Sequence, residues 1–553
     1  MKKAPLIWIC KRMRSRIPLI LLMTAVQVGQ ALFLVLFALG SRGVIDSAVS
    51  GNLQAFYAAC VKQAVIIAGI LICLTVFRHL RERLNAELER DWKKRLLHGL
   101  LHGEYVAIRQ YHSAELLNRL NNDVQKVDEG ILNLLPSAAA MVTRLIAAVA
   151  VLGALEPKFT LLLAAAGLAL IAATGLARRK LKELNKRVSE CDGRVSGFLQ
   201  EVIEKLLMVQ AMDVSAEVEH RTEGLLDERY HLQRKRKNVS VATNTGISFV
   251  AYGTNFAALV WCAGRMLAGQ ISFGSLTAVI QLVNQLQAPF VNLSGILPQY
   301  VAMLASAERL MELEEIQGEP EPAVADPAKV YEKLETLGAE GLCFSYESDP
   351  IFEQVDFSLP KGAFAVITGA SGIGKSTLLK LLLGVYHPDC GNLYLQSADG
   401  RNMLDRSMRR MFAYVPQGNL LLSGTLRENL TIVKPDASET EMAQAICVSA
   451  MDEFLPQLPH GLDTVLGESG AGLSEGQGQR LAIARAVLGG APILLLDECT
   501  SALDEKTEQT VLERLKQLPN RTCIAVTHRP AAAALCNWRL EVDNGKIRTV
   551  HVE

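Results

Sequence analysis

The sequence predicts a multi-domain chain, an all-α membrane part of six helices followed by an α/β part. Three observations predict it. Long uncharged apolar blocks crowd the stretch before residue 305. An acidic, proline-rich stretch, QGEPEPAVADPAK at 317–329, has the composition of a linker. Beyond it, short apolar runs bounded by breakers each end at a polar cluster, as strands of a buried parallel sheet do. At 553 residues the chain is too long for one core, so a split is expected on size alone.

The first block, Ile17 to Leu39, runs without a charge for 23 residues. At ~1.5 Å per residue that crosses a bilayer, and it is too long for the apolar core of a cleaved signal. It reads as a retained membrane helix, with a short interfacial helix before it. Further spans are expected at about 57–77, 131–154, 159–177, 241–264 and 271–300. The second is the weakest, because Lys62 interrupts it, and the last has loose ends.

Lys and Arg set the orientation. They cluster at Lys11–Arg16, Arg78–Arg95, Arg178–Lys182 and Arg234–Lys237, whereas the opposite loops hold Arg42, Lys158 and Arg265. Both termini are therefore expected in the cytoplasm. The loops 78–130 and 178–240 are polar, poor in glycine and rich in helix formers, so they read as helices continuing out of the membrane. The domain limits expected are 1–315 for the membrane part, 316–334 for the linker and 335–553 for the α/β part.

Lys+Arg and Asp+Glu balance at 57 each, which argues against a nucleic-acid partner held by bulk charge. The 11 cysteines are scattered with no CxxC pair, so reduced thiols are expected. Cys499, beside Asp497-Glu498, reads as a packing residue.

In the second part, GASGIGKS fits G-x-x-x-x-G-K-[ST], between an apolar run, AVIT, and a helical one, TLLKLLLG. Gly369, Gly372 and Gly374 let the backbone of Gly369, Ala370, Ser371, Gly372, Ile373 and Gly374 turn its N–H groups toward phosphate. Lys375 supplies a point charge, and Ser376, followed by Thr377, offers a hydroxyl to Mg²⁺. ILLLDE at 493–498 is the matching acidic strand end. Asp497 is expected to hold Mg²⁺, and Glu498 to polarise the attacking water. His528, in AVTHRP, ends a third strand within reach of a γ-phosphate. The fold class in full is thus an all-α six-helix transmembrane domain with long cytoplasmic helices, then an α/β P-loop ATPase domain.

GASGIGKST, YVPQ, LSEGQ, ILLLDE, SALD and AVTH occur in that order and cover nearly all of 335–553. The set resembles the nucleotide-binding domain of the ABC transporter superfamily. The resemblance implies ATP and Mg²⁺ as ligands, with Glu498, His528 and Lys375 carrying hydrolysis. It implies that Gln417 reaches both Mg²⁺ and the membrane domain, and that Ser501, Ala502, Leu503 and Asp504 form the D-loop. Tyr346, in GLCFSYES, matches the aromatic under adenine, or is an exposed strand tyrosine. Leu473, Ser474, Glu475, Gly476 and Gln477 match the signature that caps the ATP of a partner chain, on a helix expected to begin near Gly476. Glu475 departs from the usual glycine there and is expected to point outward.

The membrane part resembles the exporter type more loosely, through its architecture, SAELLNRLNNDVQKVDE at 113–129 and TVLGESG at 464–470, where Glu468 is the expected contact residue. The resemblance implies a half-transporter in a bacterial cell membrane, multi-pass, paired with a second half-transporter and exporting an unidentified substrate. An obligate heterodimer is the alternative, as in thiol or haem export for cytochrome assembly. A membrane-bound ATP-dependent regulator that transports nothing is a third reading. Arg144, in AAMVTRLIAAV, is a candidate for substrate contact or a snorkelling arginine. Gln27, Gln30, Asn244, Asn255, Gln281, Asn284, Gln285, Gln287 and Asn292 line a polar path or bond helix to helix.

Overall fold

The computed structural model describes residues 4–318, 326–346, 349–418, 421–467, 470–527 and 529–552. His528 and Glu468 lie outside the described residues. Chain contacts divide the protein into two compact units, one of residues 1–98 with 113–315, the other of 99–112 with 316–553.

The helices of the N-terminal half are α1 (Ala4–Arg12), α2 (Ile17–Val49), α3 (Leu53–His102), α4 (Tyr105–Arg109), α5 (Ser113–Asn118), α6 (Val124–Leu155), α7 (Pro157–Glu204), α8 (Leu206–Ala211), α9 (Ser215–Leu267) and α10 (Phe273–Glu314). The segments 17–49, 53–102, 113–155 and 215–267 are each long and apolar enough to cross a membrane. Their exposed apolar side chains, among them Leu21, Leu36, Val65, Ile72, Ile146 and Phe249, suit a lipid surround. Between the helices, Val35, Ala38, Leu152, Phe159, Ala258, Val279 and Leu282 form a buried core.

Below that core the first unit is pinned by charge. Fully buried Asp123 accepts from Arg309 and from Ser306 Oγ at 2.9 Å. Arg119, also buried, pairs with Glu115 and Glu312. A carboxylate taken out of water must be paired in this way, since removing one partner of a buried pair costs about 3–5 kcal/mol. Helix α1 is held by Trp8 and Arg12, which both donate to Glu314.

Several of the amides named above bond helix to helix. Asn255 Nδ2 donates to Asn284 Oδ1 at 2.8 Å, and Gln285 Nε2 to the Leu34 carbonyl at 2.7 Å. Arg144 is half-buried, and its Nε has no partner among the described residues. Asn292 lies among residues whose side chains are not described.

The segment 78–130 departs from the helices expected to continue out of the membrane. α3 ends at His102, α4 follows after a break at Gly103, and 119–123 forms a π-turn. Gly103 pairs as a β-bridge with Gly318, and the Glu104 N–H donates to Gln317 O. The segment 99–112 therefore packs with the second unit, a non-local pairing that helix propensity does not encode.

The second unit opens with α11 (Pro327–Glu332), inside the stretch read as linker, with Pro327 in its first turn and Asp326 capping it. Strands β1 (Leu334–Tyr346), β2 (Asp349–Pro360), β4 (Cys390–Ser397) and β5 (Gly400–Met403) form an antiparallel sheet in the order β2-β1-β4-β5. Strands β3 (Phe364–Thr368), β6 (Phe412–Val415), β9 (Ile493–Asp497), β10 (Thr522–Val526), β11 (Trp538–Asp543) and β12 (Lys546–His551) form the second sheet, ordered β12-β11-β3-β10-β9-β6. From β11 to β6 its neighbours are parallel, and β9 and β10 are buried along their whole length. β7 (Gly424–Thr425) and β8 (Val465–Leu466) form a small pair. The remaining helices are α12 (Lys375–Leu382), α13 (Leu426–Thr431), α14 (Glu439–Val448), α15 (Glu475–Leu488), α16 (Glu505–Lys516) and α17 (Pro530–Leu535).

One sequence expectation is overturned here. Cys343 and Cys390 are joined by a disulfide across β1 and β4, 47 residues apart in the chain. Spacing along the chain carries no trace of it, because strand register brings the two together. By loop entropy such a link is worth about 4 kcal/mol. Gly391, at φ +70°, makes the close approach possible, since a Cβ there would lie 2.1 Å from Gly341 O.

Candidate ATP-hydrolysing site

The carboxyl ends of β3, β9 and β10 converge, as parallel-sheet ligand sites do. The loop after β3 exposes Ala370, Ser371 and Gly372 to solvent. It closes at Gly374, which caps α12 at φ +106° and whose Cβ, if present, would lie 2.4 Å from Ile351. Lys375 follows, buried, its Nζ donating to the carbonyls of Gly369 (2.9 Å) and Ala370 (2.8 Å). Burial lowers its pKa from the ordinary lysine value, and Glu498 and Asp497 act against that.

Asp497, buried at the end of β9, accepts from Ser376 Oγ at 2.8 Å and from Tyr414 OH at 3.0 Å. Burial foremost, then Asp497, raises the Tyr414 phenol, so it stays a donor. Glu498 lies at φ +49°, a region costly for a residue other than glycine. Its N–H donates to Val526 O, and its carboxylate accepts from Gln417 Nε2 at 2.9 Å. The structure thus brings Lys375, Ser376, Gln417, Asp497 and Glu498 to one place. Ser376, Gln417 and Asp497 present hard oxygen donors, a set that fits Mg²⁺. Cys499 is buried, its thiol pushed up to about 12 by that burial, in keeping with a packing role.

The stretch 473–477 forms a helix start, with α15 beginning at Glu475, one residue before the expected Gly476. Ser474 Oγ accepts from Gln477 N, and Gln477 Oε1 from Ser474 N, a reciprocal cap. Glu475 is exposed, as expected, while Leu473 packs on the core. A Cβ on Gly476 would lie 2.8 Å from Ala502 O. Two residues that sequence reasoning missed hold this region. Gln479, two past the quoted motif, bonds Ser501 Oγ and the Ala502 N–H, both at 3.0 Å. Arg529 donates to Leu503 O and Ser501 O and pairs with Glu508. Asp504 in turn caps α16 through the Thr507 N–H.

Tyr346 ends β1 with its hydroxyl 3.1 Å from Thr377 Oγ1. Its ring meets Phe344 at 5.0 Å and Tyr386 at 5.5 Å. Tyr386, the third missed residue, is 5 % exposed and follows α12. It accepts a hydrogen bond from Arg109 of α4 and meets the Tyr105 ring at 6.4 Å. Helix α4, YVAIR, is a further omission, since it lies within the loop 78–130, which the sequence presents only as helix continuing out of the membrane. We predict that Tyr386→Ala accelerates amide exchange across 104–111 by at least about tenfold while melting of the ATPase unit stays cooperative. Unchanged protection there would show that Tyr386 does not hold α4.

Two family models match the chain. The ABC transporter transmembrane region covers residues 19–290, and the ABC transporter ATPase model covers 352–501, together more than half the sequence. The chain belongs to the ABC transporter superfamily. With both regions fused it is a half-transporter of exporter type, a membrane protein whose ATPase domain hydrolyses ATP coupled to transport. It is 26 % identical over 531 residues to a probable ABC transporter ATP-binding/permease protein of Haemophilus influenzae, covering 93 % of each chain. It is 28 % identical over 493 residues to a mitochondrial potassium channel ATP-binding subunit of mouse, spanning 88 % of this chain and 67 % of that one. Among solved structures, a bacterial Atm1-family ABC exporter with ATP bound matches at TM-score 0.79 and 22 % identity, covering 98 % of this chain and 95 % of that one, which shows the shared fold.

Proposed function

We propose that this half-transporter pairs with a second one and exports a substrate across a bacterial cell membrane, both termini facing the cytoplasm. The observation that carries it is the cluster at the strand ends, where Ser376 meets Asp497 and Gln417 meets Glu498. Lys375 would bind the β/γ-phosphates, Glu498 would polarise the attacking water, and His528 would contact the γ-phosphate. Mg²⁺, held by Ser376, Gln417 and Asp497, would supply charge neutralisation on the phosphates. Tyr346 would stack under adenine. The orientation is supported by the basic clusters at Lys11–Arg16, Arg78–Arg95 and Arg234–Lys237. The bacterial placement is supported by the end-to-end likeness to the Haemophilus influenzae protein.

Ser474 and Gln477 bond to each other, and the exposed Glu475 leaves that helix start open to a partner. In this reading the start of α15 faces the ATP of the partner chain, where its N–H groups and dipole attract the γ-phosphate. Complementation tests it. Lys375→Ala and Ser474→Arg chains should each be inactive alone. Co-assembled, they form a dimer with one intact composite site, and ATP turnover should reappear. Continued silence in verified mixed dimers would overturn the shared-site reading. The same preparation decides whether the partner is identical or unlike, since a homodimer turns over ATP without a second gene product.

A second reading makes the chain an ATP-binding subunit that serves a membrane channel. The likeness to the mitochondrial potassium channel subunits favours it. Conductance through a co-purified channel that responds to ATP, with no cargo stimulating turnover, would select this reading.

A further inference from the structure

The disulfide lies beside the adenine platform. Cys343 and Cys390 are register partners across antiparallel β1 and β4, Cα atoms 4.9 Å apart. Three residues beyond Cys343 is Tyr346, and four before Cys390 is Tyr386, the ring that packs against it at 5.5 Å. Between the two cysteines lies the entire phosphate loop with α12. Besides the Tyr386 ring contacts with Phe344 and Tyr346, the loop 383–389 meets β1 through Asp389 N to Cys343 O (2.8 Å) and Ser345 N to Asp389 Oδ2 (2.7 Å). Cys390 is exposed and Cys343 half-buried, so a reagent reaches one sulfur directly.

We propose that Cys343 and Cys390 form a reversible thiol–disulfide pair whose closure clamps Tyr386 against Tyr346 and tightens nucleotide binding. The inference rests on the reading of Tyr346 as the adenine platform. The oxidant is a low-molecular-weight disulfide. The thiolate of Cys390 attacks one of its sulfurs, forming a mixed disulfide and releasing one small thiol. The thiolate of Cys343 then attacks the Cys390 sulfur, closing the protein S–S bond and expelling the second small thiol. Two electrons pass from the cysteines to the small disulfide, and their two protons end on the released thiols. Closure raises affinity by ordering the platform in advance of binding. Opening leaves the Asp389 N–Cys343 O bond, the Ser345 N–Asp389 Oδ2 bond and the ring contacts to hold it.

The test uses the full chain in lipid nanodiscs, treated with oxidised glutathione or with dithiothreitol. Mass analysis after alkylation counts free thiols, and closure, which leaves two fewer, is distinguished from an adduct, which adds mass. ATP and inorganic tripolyphosphate are then titrated into each state. The expected result is ATP binding at least about threefold tighter in the closed protein, with tripolyphosphate, which lacks adenine, unaffected. The difference should vanish in Cys343→Ser. Equal ATP affinity with the disulfide closed overturns the proposal, as does a pair that stays open under oxidation or a shift that persists in Cys343→Ser. Failure of the platform reading looks different. In that case Tyr346→Ala leaves ATP affinity of the reduced protein unchanged, and both inferences fall.

Discussion

Glu498→Gln is expected to bind ATP within about twofold of wild type and to lose turnover by about 10²–10³-fold, within the range a positioned general base supplies. The substitution keeps shape and hydrogen-bonding capacity at the end of β9, where the side chain meets Gln417 Nε2 at 2.9 Å. It removes the negative charge that would polarise water. The backbone at φ +49° is unchanged by it, so the fold should hold, and an unaltered melting temperature checks that. Single-turnover hydrolysis in nanodiscs reads the chemical step. Turnover within about fivefold of wild type would remove Glu498 from the catalytic role.

Lys375→Ala should act first on binding and raise the Kd for ATP by roughly ten- to a hundredfold, the value of losing one charge-assisted hydrogen bond. The ammonium now bonds Gly369 O and Ala370 O from a buried position. Its burial lowers its pKa and so disfavours the charged form, a cost that phosphate oxygens would relieve. Alanine also removes the two ties that hold the loop closed, so nucleotide-free mobility of 369–374 should rise. Equilibrium titration with a fluorescent nucleotide measures the first effect, and hydrogen exchange the second. An unchanged Kd would detach Lys375 from the phosphates. Together the two variants separate the loss of turnover alone, at Glu498, from a loss that begins at binding, at Lys375.

Much of this site was legible because its parts are contiguous. GASGIGKS needs backbone freedom, a cation and a hydroxyl at fixed offsets, all of them local demands. ILLLDE was legible for the same reason, as a buried strand must be apolar until its end, where Asp497 and Glu498 emerge. Tyr414 shows the limit. It stands three residues before Gln417 in a quoted motif, yet its bond to Asp497 depends on β6 lying beside β9. Gln479 and Arg529 were missed likewise, because what they hold is a turn formed 22–28 residues away.

The sequence by itself determined the apolar blocks of the first half, the strands that end at polar clusters, and the identities of Lys375, Ser376, Asp497 and Glu498 at those ends. These follow from periodicity, length and short-range geometry, which neighbouring residues specify. Tertiary structure alone decided that Cys343 meets Cys390, that Tyr386 joins Tyr346 to Arg109, and that 99–112 packs with the ATPase unit. Each joins residues 40 to 277 positions apart. Such pairings are selected by strand register and by burial of shared apolar surface, and neither is encoded in the residues next to the ones that meet.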